Sequence, residues 1–168
     1  SQCSDRGLLC ANVIFDASVE TIWSIWSAGA ALCVFPKDEI IENATQIAQD
    51  NAITTLGCLT SSMMSLFDSA CLPSIRLLVQ GGEYLSQATA HDWASHQNRV
   101  IVNAYGTTET TVIFTHLRMN GTERGIGSPF ADVRIFVGEI ESDLIAPASV
   151  AGELSAGGLQ VGRGYIGR

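Results

Sequence analysis

The sequence predicts an α/β fold in which a parallel β-sheet is flanked by helices. Short apolar runs alternate with amphipathic segments from residue 1 to residue 109, and this alternation is typical of parallel strands joined by helical crossovers. The runs are continuously apolar, as expected of strands that are covered on both faces. Gly or small polar residues follow several of the runs, which indicates that connections start at one rim of the sheet.

Five parallel strands are predicted, each from an apolar run bounded by turn residues. They comprise residues 11–15, 31–35, 53–56, 75–79 and 99–102. We expect the first strand to deliver Asp16 to its carboxyl end, and the fourth to end at the sequence GGE of residues 81–83. Ligands of open α/β sheets bind at the carboxyl ends of the strands, so both segments are candidates for a site.

The first predicted helix follows Ser18, which we expect to cap it, and ends at Gly29. Its apolar side chains recur at i, i+3, i+4 and i+7, which places them on one face of a helix. They are Val19, Ile22, Trp23 and Trp26. We therefore expect both tryptophans in the core.

Capping and charge signals predict three further helices. Asp38 and Glu39 favour the N-terminus of the second helix. Ser86 is expected to cap the fourth, which continues to about residue 97. A short third helix lies between them and turns four apolar side chains inward, namely Met63, Met64, Leu66 and Phe67.

The chain changes character after residue 109. Residues 110–114 and 133–137 have β-like composition, whereas residues 125–129, residues 146–147 and the late glycines indicate turns. We therefore divide the chain into an α/β sheet subdomain over residues 1–109, which carries the candidate site, and a β-rich portion over residues 110–168.

Composition excludes several classes of function. A net charge of −8 argues against nucleic acid and against an anionic membrane surface as partners. The most apolar stretch, residues 22–35, is too short to span a bilayer. The five cysteines are widely spread without a CxxC pair, so we interpret them as reduced thiols of a cytoplasmic protein.

Residues 103–111, with the sequence NAYGTTETT, have the chemistry of a nucleotide site. Gly106 lets backbone N–H groups approach a phosphate, Thr107 and Thr108 bring hydroxyl donors, Tyr105 offers a ring face, and Glu109 offers a hard oxygen for Mg²⁺. Taken alone, the same nine residues also fit a polar exit from a strand with a packed Tyr beneath it.

Four segments together resemble one family. Residues 103–109 resemble the NxYGPTE motif of adenylate-forming enzymes, in the form used by adenylation domains of nonribosomal peptide synthetases, with Thr107 in place of Pro. Residues 15–18 (FDAS) resemble the FDxS motif, and residues 152–165 resemble GELxIxGxxVARGY. Residues 81–83 stand where the family carries its GGE-like adenine loop. The resemblance covers nearly the whole chain and suggests an internal fragment of a larger protein.

The resemblance implies a role for each residue of the nucleotide site. Tyr105 would stack on adenine, and Asn103 would hydrogen-bond the base edge. Thr108 and Glu109 would be the catalytic residues. The backbone of Gly81, Gly82 and Glu83 would cover the other face of the base, Gly106, Thr107 and Thr108 would hold the α-phosphate, and Glu109 would bind Mg²⁺. We assign Glu153 and Arg163 of the last motif to structure.

The resemblance also implies an amino-acid site. Asp16 of the FDxS motif would accept the α-ammonium through a charge-assisted hydrogen bond. The remaining lining positions would be Ala17, Glu20, Gly57, Val79, Gly81, Ala104, Val112 and Ile113. A carboxylate at Glu20 would be costly to bury without a partner, which suggests a polar or basic substrate such as an ornithine-like amino acid.

The implied activity uses ATP and Mg²⁺ to convert an α-amino acid into aminoacyl-AMP and pyrophosphate. The acyl group would then pass to the phosphopantetheine thiol of a peptidyl carrier protein. Several family parts are missing from this sequence: the upstream phosphate loop, the downstream Asp for the ribose and the C-terminal Lys. We therefore expect the fragment alone to be nearly inactive.

Three other functions compete with this interpretation. A Rossmann dehydrogenase is disfavoured because Gly125 and Gly127 lack the third glycine and do not open a helix. An acyl- or aryl-CoA ligase of the same superfamily is disfavoured by Asp16. A noncatalytic binding module is disfavoured by the retention of Asp16, Thr108 and Glu109, although the sequence leaves it open.

Overall fold

A seven-stranded sheet forms the body of the computed structural model, which describes residues 2–96, 98–139, 144–147 and 149–167. Nine strands occur in the described chain: β1 (Arg6–Leu9), β2 (Ala31–Val34), β3 (Thr55–Leu59), β4 (Leu77–Gly81), β5 (Val100–Tyr105), β6 (Thr115–Met119), β7 (Ser128–Pro129), β8 (Val133–Gly138) and β9 (Glu153–Gly158). Four α-helices accompany them: α1 (Asp16–Ser27), α2 (Lys37–Asp50), α3 (Ser61–Met64) and α4 (Gln87–Ala94).

The strand order in the large sheet is β2-β1-β3-β4-β5-β6-β7. The first five strands in chain order pair in parallel, so the predicted α/β class is confirmed. β6 and β7 add two antiparallel strands at the edge, because residues 106–114 return the chain beside β5 without a crossover helix. β8 and β9 form a separate antiparallel ribbon. The large sheet therefore continues past residue 109, while the predicted division into two portions stays a prediction.

Helices cover both faces of the sheet. α1 packs against Gly7 of β1, where an added Cβ would overlap the side chain of Ile25. Leu8, the next residue of β1, points to the opposite face and joins a buried core with residues of α2, α3 and α4. Met64 of α3 and Phe67, which follows the helix, are buried in this core as predicted.

The first strand lies earlier than predicted. Leu8 in β1 is fully buried, whereas Val13 and Ile14 in the predicted strand are 70% and 82% exposed. The side chain of Asn12 accepts a hydrogen bond from the backbone N–H of Ile14 at 3.1 Å. This local turn competes with strand pairing, and residues 11–15 become a connection from β1 to α1.

The prediction that the tryptophans of α1 are buried is wrong. Trp23 and Trp26 are 63% and 54% exposed and contact each other edge to face, with ring centroids 6.0 Å apart. The helix instead turns a face of small side chains toward the sheet, where a Cβ at Gly57 would lie 2.7 Å from the hydroxyl oxygen of Thr21. Ser18 is also not the cap, because its hydroxyl donates to the carbonyl of Phe15 at 2.7 Å from inside the helix.

Several element boundaries differ from the prediction. β3 and β4 each begin two residues later than expected, so Gly57 lies within β3 and not at its exit. β5 extends to Tyr105 because Gln80 and Gly81 of β4 continue the pairing with Asn103 and Ala104. Ser86 caps α4 by accepting the N–H of Thr89, as predicted, and the helix ends at Ala94.

The predicted strand over residues 110–114 is absent from the described structure. A 3-10 helix spans Thr108–Thr110, and Thr111 and Val112 have positive φ angles of 59° and 72°. The strand that follows is β6, which the sequence analysis did not identify. The late glycines were predicted to form turns, but Gly157 and Gly158 belong to β9, which pairs along β8. The predicted strand over residues 133–137 is confirmed as β8.

A buried carboxylate ties together the amino ends of three neighbouring strands. Asp5, which precedes β1, accepts hydrogen bonds from Thr54 Oγ1 at 2.7 Å and Gln2 N at 2.5 Å, and forms an ion pair with Arg76. Thr54 precedes β3 and Arg76 precedes β4. Burial opposes the charge on Asp5, but the hydrogen bonds from Thr54, Gln2 and Arg76 outweigh it and lower the pKa of the carboxyl group.

Asp5→Asn is expected to lower the free energy of unfolding by about 1–3 kcal/mol at pH 7, because buried donors lose a charged acceptor. The folded pKa lies below the unfolded value, so this stabilisation is present above about pH 4 and is lost as the pH falls through the folded pKa. Urea unfolding at pH 7 and pH 3 measures both effects, with Asp132→Asn at an exposed position as the control. An equal difference at the two pH values would contradict this account.

Candidate functional site

Two cavities meet at the carboxyl rim of the large sheet. The Asp16 cavity has a volume of about 420 Å³, and the Tyr105 cavity has a volume of about 590 Å³. Both are lined by Gly82, Ala104 and Gly106. Asp16 and Tyr105, which are separated by 88 intervening positions in sequence, therefore lie on two sides of one thin wall of small residues.

The Asp16 cavity contains six of the nine predicted amino-acid-binding residues. They are Asp16, Ala17, Gly81, Ala104, Val112 and Ile113. Asp16 is the first residue of α1 and is half-buried, so its carboxylate lies at the positive end of the helix dipole. A carboxylate in this position is suited to hold a cation.

Three predicted lining residues lie behind this cavity. Gly57 packs on Thr21 of α1, and Val79 is half-buried within β4. Glu20 lies one helical turn after Asp16, on the same face of α1. In the described part of the chain, Cys58 lines the cavity where Gly57 was expected. The count had no strong motif near this strand, and β3 has a register shift between Leu56 and Leu59.

Glu20 is a carboxylate held away from water. Burial raises its pKa, while hydrogen bonds from Thr21, with Oγ1 at 3.4 Å, and from Ser24 act in the other direction. Among the described residues, no Lys or Arg side chain forms an ion pair with it. An anion on Glu20 would therefore gain from a cationic or polar partner.

Two thiols, which the sequence analysis did not identify as site residues, line the Asp16 cavity. Burial raises the pKa of Cys10 to about 12. Burial, and then the charges of Glu20 and Asp16, raise the pKa of Cys58 to about 12. Both thiols therefore stay protonated at neutral pH, and the two carboxylates act on the same side of the cavity.

The Tyr105 cavity is bounded by the chain that leaves β4 and the end of β5. Tyr105 is 40% exposed and rests edge to face on Phe114, with ring centroids 5.5 Å apart. The Asn103 amide donates to the carbonyl of Gly125 at 3.2 Å. Glu83 accepts the N–H and hydroxyl of Ser62, which lower the pKa of its carboxyl group. These two hydrogen bonds fix the side chain of Glu83 to the start of α3.

The sequence analysis did not identify several other residues that line the Tyr105 cavity, because they belong to no motif. They include Tyr84, Gln87, Met119, Arg124 and Ile126. Arg124 is the only basic side chain among the described residues that line this cavity. Residues 125–129, which follow Arg124, were predicted as a turn, and the antiparallel strands β6 and β7 bring this part of the chain beside β5.

Residues 106–113 form a closed loop between β5 and β6. The backbone N–H of Thr107 donates to Thr110 Oγ1 at 3.2 Å, and the N–H of Thr110 returns to the carbonyl of Thr107 at 2.9 Å. Gly106 packs directly on the backbone of Val112 and Ile113, where a Cβ would overlap the carbonyl of Val112. The loop thus presents the predicted phosphate-binding threonines and two lining residues of the Asp16 cavity as one unit.

Glu109 fits the predicted role of a Mg²⁺ ligand. Its exposed carboxylate accepts the hydroxyl of Tyr165 at 2.7 Å, and this hydrogen bond is the main reason why its pKa is lowered. In the part of the chain that the structure describes, no three His, Cys, Asp or Glu residues are grouped as a metal site. A single carboxylate beside hydroxyl groups suits Mg²⁺ that takes most of its ligands from water and phosphate oxygens.

The histidines lie away from both cavities. His91 and His116 are exposed, and His116 stacks on Phe130. His96 is half-buried, with Nε2 3.3 Å from Ser69 Oγ. Ser69 donates its hydrogen to Asp92, 2.7 Å away, so this group has the geometry of a structural network.

Comparison with known proteins gives consistent results along the chain. A family model described as AMP-binding enzyme matches residues 1–166. The chain is 35% identical over 167 residues to Nonribosomal peptide synthetase 2 of Cochliobolus heterostrophus and 32% identical over 166 residues to Bacitracin synthase 3 of Bacillus licheniformis. Each alignment covers 97% of this chain, which spans only 3% and 2% of the two relatives.

A solved structure shows the same fold. The adenylation domain AlmE of Vibrio cholerae, described in complex with glycyl-adenosine-5'-phosphate, matches the whole chain with a TM-score of 0.87 and 24% identity. This chain spans 34% of that structure. Across residues 2–96, 98–139, 144–147 and 149–167, no helix combines the length and apolar character that crossing a membrane requires.

Gly106→Ala is expected to lower the free energy of unfolding by about 1–3 kcal/mol, because the new methyl group overlaps backbone atoms that cannot rotate away. Gly157→Ala is the matched control, since a Cβ at that position meets no atom within 4 Å. Urea unfolding of the two variants measures the difference. Equal stability of both variants would show that residues 106–113 do not form the closed loop described here.

Proposed function

This chain belongs to the family of AMP-binding enzymes and is similar along its length to parts of nonribosomal peptide synthetases, and we propose that it carries the substrate site of an amino-acid adenylation domain. The domain would activate an α-amino acid as aminoacyl-AMP and load it onto a carrier-protein thiol in the cytoplasm. The observation that supports this most strongly is the wall that the Asp16 and Tyr105 cavities share.

The shared wall suits a reaction between two bound substrates. An amino acid in the Asp16 cavity would direct its carboxylate toward Gly106, Thr107 and Thr108, which line that cavity. A nucleotide with its base on Tyr105 would bring its phosphates to the same loop. The carboxylate oxygen would bond to the α-phosphorus as the bond to pyrophosphate breaks, and holding both groups in place supplies most of the rate enhancement.

The chain supplies orientation and charge to this reaction without a nucleophilic side chain. Thr107 and Thr108 have exposed hydroxyl-bearing side chains that can donate to the phosphate oxygens as negative charge moves toward pyrophosphate. Mg²⁺, when bound, neutralises charge on those oxygens, and Glu109 is the residue that would hold it. The proposed adenine site on Tyr105 has the Gly82 and Glu83 backbone across the cavity.

Asp16 is the proposed recognition residue for the α-ammonium. It lies in a cavity whose described lining contains a single other charged side chain, Lys37. A carboxylate that is partly shielded from water, as Asp16 is, forms a stronger pair with an ammonium than it would in water. This residue favours an amino acid over an acid that lacks an amino group.

Glu20 supports a polar or basic side chain on the substrate. It is half-buried one turn beyond Asp16, and its charge contributes to the raised pKa of the Cys58 thiol, which lines the Asp16 cavity. Two carboxylates on one helical face would match the two cationic groups of an ornithine-like amino acid. Burial of an aliphatic side chain beside Glu20 would leave its carboxylate without a cationic partner.

Asp16→Ala is expected to reduce kcat/KM for amino-acid-dependent exchange of pyrophosphate into ATP by about 30-fold or more, as the loss of one partner of a buried charged pair implies. The assay uses the complete adenylation domain that contains this chain, because the chain spans only a small part of its relatives. Asp38→Ala, at an exposed position of α2, is the control.

Three results of this exchange assay separate the competing functions. Exchange with amino acids that is lost in Asp16→Ala supports the proposal. Exchange that acids without an amino group support equally well would identify a CoA ligase instead. A complete domain that binds no amino acid and exchanges no pyrophosphate would be a noncatalytic module.

Glu20→Gln keeps the shape of the side chain and removes its charge. We expect it to reduce kcat/KM for ornithine about tenfold relative to glutamine, because an ion pair with a poorly solvated carboxylate is lost. The exchange assay over an amino-acid panel measures this ratio, with Glu42→Gln on the exposed face of α2 as the control. If the wild-type domain activated only hydrophobic amino acids, the proposal of a polar or basic substrate would be wrong.

A further inference from the structure

Residues 160–165, here called the clamp segment, hold the loop of residues 106–113 from outside. Four hydrogen bonds join the two segments across 47 to 56 residues of sequence. They run from Tyr165 OH to Glu109 Oε1 at 2.7 Å, from Gly162 N to Glu109 O at 2.6 Å, from Thr111 Oγ1 to Gln160 O at 2.7 Å and from Gln160 Nε2 to Ile113 O at 3.1 Å.

The loop needs this outside support. Thr111 and Val112 are consecutive β-branched residues with positive φ angles, a conformation that costs free energy for such side chains. A strained conformation persists only where surrounding contacts determine it. Gly162 approaches so closely that a Cβ there would lie 3.2 Å from the carbonyl oxygen of Glu109.

The two ends of the clamp segment contact different halves of the loop. Tyr165 contacts the carboxylate of Glu109, on the proposed nucleotide side. Gln160 contacts the carbonyl of Ile113, which lines the Asp16 cavity. The two contacts therefore lie on opposite sides of the strained residues 111 and 112.

We propose that Tyr165 is a positioning residue for the Glu109 carboxylate and that Gln160 is a positioning residue for the amino-acid side of the same loop. This inference rests on the proposed function. Tyr165 acts through Glu109: its hydroxyl donates to Oε1 and restricts the rotation of an otherwise exposed carboxylate. Partners of this kind fix the orientation of a ligand carboxylate before the metal arrives.

In this hydrogen bond Tyr165 is the donor and the Glu109 carboxylate is the acceptor. The donor is lost in Tyr165→Phe while the ring is kept.

The test uses Tyr165→Phe and Gln160→Met in the complete adenylation domain. Calorimetric titration with ATP, once with Mg²⁺ and once with EDTA, gives the gain in affinity that Mg²⁺ supplies. We expect Tyr165→Phe to reduce this gain about tenfold. This is the low end of the effects seen when a partner of a metal ligand is removed, because the Tyr165–Glu109 pair is exposed. The KM for the amino acid should stay unchanged in this variant.

Gln160→Met should give the reverse result. We expect it to raise the KM for the amino acid about fivefold, the equivalent of one hydrogen bond, and to leave the Mg²⁺-dependent gain in ATP affinity unchanged. Ile166→Ala, a fully exposed neighbour of the clamp segment, is the control and should change neither quantity. Thermal unfolding of all three variants separates these effects from loss of fold.

Two results would overturn the inference. One is an unchanged Mg²⁺-dependent gain in ATP affinity in Tyr165→Phe. The other is that both variants change this gain and the KM for the amino acid to the same extent, which would indicate that the clamp segment only stabilises the loop. Absence of pyrophosphate exchange in the unaltered domain would overturn the proposed function alone, because ATP binding with and without Mg²⁺ still tests the role of Tyr165.

Discussion

The parallel pairing of β4 with β5 places Gly81 opposite Ala104, and the arrangement of the whole site depends on this close contact. A Cβ on Gly81 would lie 3.0 Å from the carbonyl oxygen of Ala104, so a larger residue would press the strands apart. The chain then leaves both strands at the same rim, through Gly82 and Gly106, and one cavity opens on each side. Small side chains at these positions keep the wall between the cavities thin.

The charges around this wall are arranged by the same geometry. Asp16 and Glu20 lie on one face of α1, beside the cavity that would receive an ammonium group, whereas Glu109 lies on the loop beyond β5. Arg124 reaches the Tyr105 cavity from the antiparallel edge.

Much of this arrangement could be predicted because it depends on local signals. Gly81 and Tyr105 end apolar runs that form the parallel strands β4 and β5, and the carboxyl ends of parallel strands meet at one rim. Asp16 also follows an apolar run, but that run is the connection from β1 to α1 and not a strand. The orientation of α1 could not be predicted in this way. Its strongest apolar stripe contains Trp23, yet the face that packs inward is the one that fits the glycines of β1 and β3, and that fit depends on the partner surface. The contact of Tyr165 with Glu109 could not be predicted for a related reason, since nothing in the local sequence indicates a hydrogen bond between them.

We propose that the Asp16 and Tyr105 cavities are the two halves of one site. A crystal structure of the complete adenylation domain with a non-hydrolysable aminoacyl-adenylate analogue would show whether one ligand fills both. We expect an ammonium within hydrogen-bonding distance of the Asp16 carboxylate, adenine on the ring of Tyr105, and the linking group beside Gly106. An analogue that occupied only one cavity, or that placed its ammonium away from Asp16, would contradict it.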